Sequence, residues 1–256
     1  MANERLIKES FAKQADNFES SAMSFSKEEY LAYTLKKMEL CAKDIVLEVA
    51  SGTCANGRAI APNVDKVVCL DLTPEMLEVG RKKAEEQKLS NMLFVLGNAY
   101  EIPFLNNYFD VVFSRLAFHH FTDTKKAFAE MERVLKPGGK LVIIDMIATD
   151  ELLRKQRDYY ETLRDLSHVM NLSRQEITAL YENVGMNIIL QEVTDIEVSL
   201  NSWMELTKTP EDIRKQIQEA MECELNGGSQ TGFYPYKKSG DIKFLQKWMI
   251  TIGKKV

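Results

Sequence analysis

Four of the five residues in Ile45-Val46-Leu47-Glu48-Val49 are apolar, and the run breaks into the small-residue turn Ala50-Ser51-Gly52-Thr53-Cys54. An apolar run cut off so sharply predicts a parallel strand, buried on both faces, that stops over a ligand. A second run, Val67-Val68-Cys69-Leu70, ends in Asp71, 23 positions after Glu48. A carboxylate at about that spacing, at the tip of a second strand, is how doubly wound sheets hold a ribose. The turn itself suits pyrophosphate poorly. A dinucleotide loop wants three glycines, whereas Ala50, Gly52 and Cys54 hold the alternating positions with one glycine, and Glu48 beside them repels phosphate. Such a loop fits a cationic nucleoside better than an anionic dinucleotide.

Further blocks follow in order. Asp71-Leu72-Thr73-Pro74-Glu75-Met76-Leu77 ends a strand and starts a helix, with Thr73 as N-cap and Pro74 at the first helical position. Gly97-Asn98-Ala99 with Ile102-Pro103-Phe104 makes a loop, and Phe109-Asp110-Val111-Val112-Phe113-Ser114-Arg115 with His119-His120-Phe121 makes a strand and its exit. Arg133-Val134-Leu135-Lys136-Pro137-Gly138-Gly139-Lys140-Leu141 turns into the next strand. Together the blocks span residues 44 to 147. In this order the chain resembles the class I, Rossmann-like S-adenosylmethionine-dependent methyltransferases, and several blocks are most similar to the small-molecule subgroup of ubiquinone/menaquinone biosynthesis. Departures from that pattern are Ala50 and Cys54 for glycines, Glu48 for aspartate and Asn98 for the more frequent aspartate.

The resemblance implies an α/β fold: a doubly wound, seven-stranded, mostly parallel sheet whose last strand is antiparallel, with helical lid insertions. The expected division is an N-terminal helical cap over 1–40, a cofactor-binding core over 41–148, and the rest of the sheet over 149–256. Strand five is expected from Lys140 to Ile147. Ser173-Arg174-Gln175-Glu176 forms a capping box opening a helix that Gly185 ends, and Met186 to Val198 and residues 242–252 read as the last strands. Segments 149–172 and 201–240 lie outside this scheme and are expected to arch over the crevice as a substrate lid. The second carries a helix from Thr209-Pro210 to about Leu225.

Composition bounds the rest. A net charge of −5 argues against a nucleic-acid surface, and no apolar run approaches membrane-spanning length. Met1 to Gln14 is charged and lacks the apolar centre of a leader, so the expectation is a cytoplasmic protein, monomer or homodimer, acting on a small molecule. Cys41, Cys54, Cys69 and Cys223 are scattered without C-x-x-C spacing, so no metal is expected.

The resemblance carries site roles onto matching positions. Asp71 is expected on the ribose hydroxyls and Glu48 near the methionine ammonium. Ala50 and Gly52 form the loop, Leu72 and Met76 flank the adenine, and Asn98 and Ala99 meet its edge. Arg115 offers its backbone carbonyl, and Phe18 folds an aromatic ring over the sulfonium. No catalytic residue is fixed; His120 is the candidate base, weighed against a packing role beneath the next helix. Arg157, Tyr160 and His168 are candidate substrate contacts on the lid helix. Ser114-Arg115-Leu116-Ala117 stands where adenine and glutamine N-methylating enzymes carry Asn/Asp-Pro-Pro-aromatic, and no Pro-Cys nucleophile occurs. A small O-, C- or N-linked acceptor remains. The alternatives are a cofactor-binding protein without transfer activity and a nicotinamide-dependent oxidoreductase, the latter disfavoured by the turn after Val49.

Overall fold

A computed structural model describes residues 2–15, 18–19 and 28–256. The remainder of the expected N-terminal cap lies outside the described residues. Two N-terminal helices, α1 (Ala2–Gln14) and α2 (Glu28–Met38), precede the sheet. Then β1 (Ile45–Val49), α3 (Ala55–Ile60), β2 (Lys66–Asp71), α4 (Pro74–Glu86), β3 (Met92–Leu96), β4 (Phe109–Arg115), α5 (Thr124–Val134) and β5 (Leu135–Ala148) alternate. After these come α6 (Arg154–Arg164), β6 (Leu172–Ser173), α7 (Arg174–Glu182), β7 (Asn187–Ser199), α8 (Leu200–Leu206), α9 (Glu211–Leu225), β8 (Tyr236–Lys238) and β9 (Asp241–Lys254).

The main sheet runs β3-β2-β1-β4-β5-β9-β7, with β6 beside β5 and β8 beside β9. Strands β1 to β5 pair in parallel, and the last strand, β9, runs antiparallel to both β5 and β7. The order reverses at β1, between β2 and β4, which opens a crevice at the carboxyl edge.

Period-two alternation builds the two faces. Leu47, Val49, Val68, Leu70, Val112 and Leu141 pack with Phe128 and Met131 of α5. The alternate residues Val46, Val67, Cys69, Val111, Phe113 and Val142 pack with Met38, Ile60 and Leu77 on the other side. Because both faces are covered, the central strands tolerate few polar residues, and those that occur must be paired. A third cluster joins α8 and α9 to the far ends of β7 and β9, around Trp203, Ile217, Phe244 and Trp248.

The capping box forms as its spacing predicts: Ser173 Oγ accepts from Glu176 N, and Glu176 Oε2 accepts from Ser173 N at 2.7 Å. Strand five starts earlier than expected. Phe109 pairs with Leu135 and Val111 with Lys140, so the Pro137-Gly138-Gly139 stretch is looped out of the ladder between two paired segments. The short elements β6, α8 and β8 were not foreseen, being brief segments fixed by tertiary contact. No helix among the described residues is long and apolar enough to cross a membrane.

Gly253 on β9 shows how tightly one face closes. A Cβ there would lie 2.3 Å from the ring of Tyr181, whose hydroxyl donates to Thr251 O at 2.9 Å. Tyr181 is fully buried and β9 is buried from Trp248 to Gly253, so neither partner has room to move. Gly253→Ala is expected to cost about 1–3 kcal/mol through overpacking, read as a lowered urea midpoint. An unchanged midpoint would show that α7 shifts freely.

Candidate active site

The turn after β1 is built from left-handed backbone. Ala50, Gly52 and Cys54 have φ of 55°, 53° and 59°. Two of these are not glycine, so the loop adopts the geometry of a glycine track at a cost of about 1–2 kcal/mol per non-glycine residue. Asp71, at the tip of β2, offsets that cost. Its Oδ2 accepts from Gly52 N at 2.7 Å and its Oδ1 from Thr73 N at 2.8 Å. Burial pushes its carboxyl up, while these hydrogen bonds oppose the shift.

Glu48 is almost fully buried one residue before the end of β1. It accepts from Asn56 Nδ2 and Gly57 N, both at 2.9 Å, and so anchors the first turn of the six-residue α3. Gly57 permits this approach, because a Cβ there would sit 2.7 Å from Cys69 Sγ and 2.9 Å from Glu48 Oε2. Burial raises the Glu48 carboxyl to about 7, with Asn56, Gly57 and Arg115 pulling the other way. Arg115 ends β4 with its guanidinium 5.2 Å from the Trp248 ring centroid, and burial lowers it to about 10.

These groups open onto one cleft of about 340 Å³. Its wall includes Phe18, Glu48, Ala50, Gly52, Asp71, Leu72, Asn98, Ala99, Arg115 and His120. Met76 is fully buried and does not reach the wall. The Asn98 amide donates to Glu4 Oε1 at 2.9 Å and its Oδ1 accepts from Tyr100 N, so its visible work is to fasten the loop to α1.

The cover of the cleft comes from the N-terminal segment. Asn3, Glu4, Ile7, Phe11, Phe18 and Glu19 line it, whereas no residue of 149–172 or 201–240 does. Glu19 ties that segment down: it accepts from Arg58 at 2.5 Å and Lys83 at 2.9 Å. Despite burial, these partners hold its carboxyl below the ordinary value.

The inserts instead help line a second, smaller chamber of about 100 Å³, through Arg164, Asp165, Ser202, Trp203 and Leu206. Arg157, Tyr160 and His168 line neither space. Arg157 stacks on Phe233, Tyr160 packs against the third core cluster, and His168 Nε2 pairs with Asp158 Oδ1 at 2.9 Å.

Between the two spaces lies the histidine pair. Asp145 of β5 accepts from Ala117 N at 3.1 Å and Phe118 N at 2.7 Å, and its Oδ1 lies 2.6 Å from His119 Nδ1. Burial disfavours charge on His119, but the Asp145 carboxylate outweighs it and the imidazole is held above its ordinary value. His120 goes the opposite way: burial, then the neighbouring His119, push it well below. Asp145 was missed by sequence reading. Its signal was a lone acid inside the apolar run Leu141 to Ile147, since a buried carboxylate must be paired.

The cleft fits the donor that the sequence pattern implies. Asp71 spends acceptor positions on the loop while its carboxylate also lines the cleft, the acceptor a ribose diol calls for. Gly52 leaves a cradle in which a Cβ would stand 3.6 Å from Phe18 Cε1.

Comparison with known proteins agrees. Residues 47–143 match the family described as "Methyltransferase domain". The chain is 32% identical over 210 residues to YcgJ of Bacillus subtilis, an uncharacterized methyltransferase, covering 81% of this chain and 82% of that one. The crystal structure of YcgJ superposes with a TM-score of 0.79 at 30% identity, covering 90% of this chain and 99% of that one. The ubiquinone/menaquinone biosynthesis C-methyltransferase UbiE of Shewanella oneidensis is 32% identical over 149 residues, 56% of this chain and 59% of that protein. A geranyl diphosphate methyltransferase in complex with S-adenosylmethionine, at 15% identity, TM-score 0.61 and coverage of 89% and 85%, shares the fold. The chain therefore belongs to the class I, Rossmann-like family of S-adenosylmethionine-dependent methyltransferases.

Proposed function

We propose that the protein transfers the methyl group of S-adenosylmethionine to a small organic acceptor, with Asp71 on the ribose, Glu48 toward the methionine ammonium and Phe18 beside the sulfonium. The observation that carries this reading is the pair of buried carboxylates, Glu48 and Asp71, on the wall of one cleft at the carboxyl edge of adjacent strands. The ionised Glu48 beside the turn repels a pyrophosphate and attracts a cationic ligand, which weighs against a nicotinamide cofactor. The bound donor supplies an activated methyl group; the chain's own residues hold, orient and exclude water. A net charge of −5 supports a small acceptor rather than nucleic acid, and we place the protein in the cytoplasm. Product formation over a panel of small acceptors separates the enzyme from a binding protein on the same fold.

Asp71→Asn keeps the side-chain shape while removing the charge. Loss of one or two charge-assisted hydrogen bonds, about 1.5–3 kcal/mol each, is expected to weaken S-adenosylhomocysteine binding at least about tenfold by calorimetry. Affinity equal to wild type, with unfolding unchanged, would remove Asp71 from the ribose.

Glu48 gives a pH signature. Its carboxyl is raised from 4.5 to about 7 in the folded protein, so the folded state binds this proton more tightly than the unfolded state. Stability from this group is therefore complete below 4.5 and lost as pH rises through about 7. A ligand ammonium selects the ionised form, so binding releases the proton and affinity rises with pH up to about 7. Above that, the ligand's own amine begins to lose its charge at about 7.7–8.0. Calorimetry in buffers of different ionisation enthalpy measures the released proton. Glu48→Gln should abolish the rising limb; the same limb in the variant would assign it to another group.

A further inference from the structure

The second chamber adjoins the cleft along Phe11, Phe18, Leu116 and His120, which line both. Its remaining wall is largely apolar, with Met146, Val198, Trp203, Leu206 and Trp248. We propose, building on the methyl-transfer reading above, that this chamber is the acceptor site and that it takes a small, uncharged, mostly apolar molecule presenting a hydroxyl, a phenol or enol, to His120.

Size sets the first limit. A volume of about 100 Å³ is comparable to the roughly 150 Å³ that admits a benzene molecule. It holds one ring or a short branched chain, with the reactive edge at the wall shared with the cleft.

Charge sets the second. The Arg164 guanidinium stacks on Trp203 at 4.6 Å, donates to Trp203 O at 3.2 Å and stands 3.9 Å from the buried Glu161 carboxylate. Asp165 Oδ1 already accepts from Ser10 Oγ at 2.9 Å, Ser167 N at 3.0 Å and Ser167 Oγ at 2.6 Å. His119 is paired with Asp145. Each charge at this wall meets an opposite charge or hydrogen-bond donors within the protein. An ionic acceptor would bring a further charge without a partner into a mostly apolar space.

His120 sets the third. Ser167 has one hydroxyl proton and gives it to Asp165 at 2.6 Å, so at 3.1 Å from His120 Nδ1 its oxygen can only accept. That fixes the proton of neutral His120 on Nδ1 and leaves Nε2 as a lone-pair acceptor. Nε2 has no hydrogen-bond partner among the described residues. It therefore receives an O–H. In transfer, the hydroxyl oxygen bonds to the methyl carbon as the carbon–sulfur bond breaks with its electron pair left on sulfur, and the hydroxyl proton passes to Nε2. One positive charge leaves sulfur and one appears on the imidazole, with Ser167 and Asp165 positioned behind it. The charge moves between neighbouring groups and is not newly created in a buried site.

The chain's two tryptophans, Trp203 and Trp248, both line the chamber, so their fluorescence reports its occupancy without turnover. Phenol, toluene, benzylamine and benzoate are titrated into the protein saturated with S-adenosylhomocysteine, whose own binding is first measured by calorimetry. Phenol should shift the fluorescence saturably and bind roughly tenfold tighter than toluene, the usual worth of one hydrogen bond. The two ions should not bind. Ser202→Phe places a ring on the chamber wall only; it should abolish the phenol response and leave S-adenosylhomocysteine affinity within about twofold. His120→Leu should erase the preference for phenol over toluene. No phenol response, equal binding of the ions, or a response that survives Ser202→Phe would overturn the acceptor assignment while the cofactor site stood. Failure of S-adenosylhomocysteine to bind would overturn the methyl-transfer reading, and the acceptor site with it.

Discussion

The hydrogen bond from Gly52 N–H to the Asp71 carboxylate, 2.7 Å long, joins the ends of two adjacent parallel strands at the point where the sheet order reverses. Everything at the site depends on it. The loop it holds carries three consecutive alternate residues in left-handed conformation, two of them with side chains. A free chain would relax such a loop. Here Asp71 satisfies a backbone donor from each side, Gly52 and Thr73, and so fixes the loop and the start of α4 in one piece. The same carboxylate lies on the cleft wall, so the residue that fixes the loop also faces the space the loop borders.

A second consequence is that the cleft and the chamber beside it have roofs of different origin. The first is the N-terminal segment, held by Glu4 to Asn98, Asn3 to the carbonyl of His120, and Glu19 to Arg58 and Lys83. The second is the pair of insertions after β5 and β7, which meet over the smaller chamber through Arg164 and Trp203. Ser10 links the two by donating to Asp165. Helix α1 is therefore tied to the wall of the cleft through Asn98 and to the wall of the second chamber through Asp165. Hydrogen bonds of this kind are individually modest, about 0.5–1.5 kcal/mol net, which suits a cover that must open for exchange.

Much of this was legible in the chain. The apolar runs at Ile45 and Val67, the capping box at Ser173 and the acid at position 71 are local patterns with one physical reading each, and the fold follows them. Glu48, Ala50, Gly52, Asp71, Leu72, Asn98, Ala99, Arg115 and His120 reach the cleft wall from at or just beyond strand ends, because a doubly wound sheet gathers its strand tips on one edge, while Phe18 reaches it from the N-terminal segment. Met76 does not reach it, since a helix face offers core and cleft at the same spacing, and the core took it. Arg157 and Tyr160 lie on the polar helix α6 and His168 follows it, and they differ in which neighbour they meet. That choice belongs to Phe233 and Asp158, remote or irregular in sequence. Asp165 and Ser167 sit beside them without any pattern, and their partners Ser10 and His120 lie far away along the chain.

The histidine pair shows how far environment can separate like residues. His119 and His120 are neighbours in sequence with ring centroids 4.1 Å apart, and both are buried. Asp145 contacts only the first, so His119 is driven toward the charged form. Burial, and after it the neighbouring His119, drives His120 toward the neutral form. One carboxylate inside β5 thus does two things: it holds the turn after β4 through backbone donors and favours the charged form of His119.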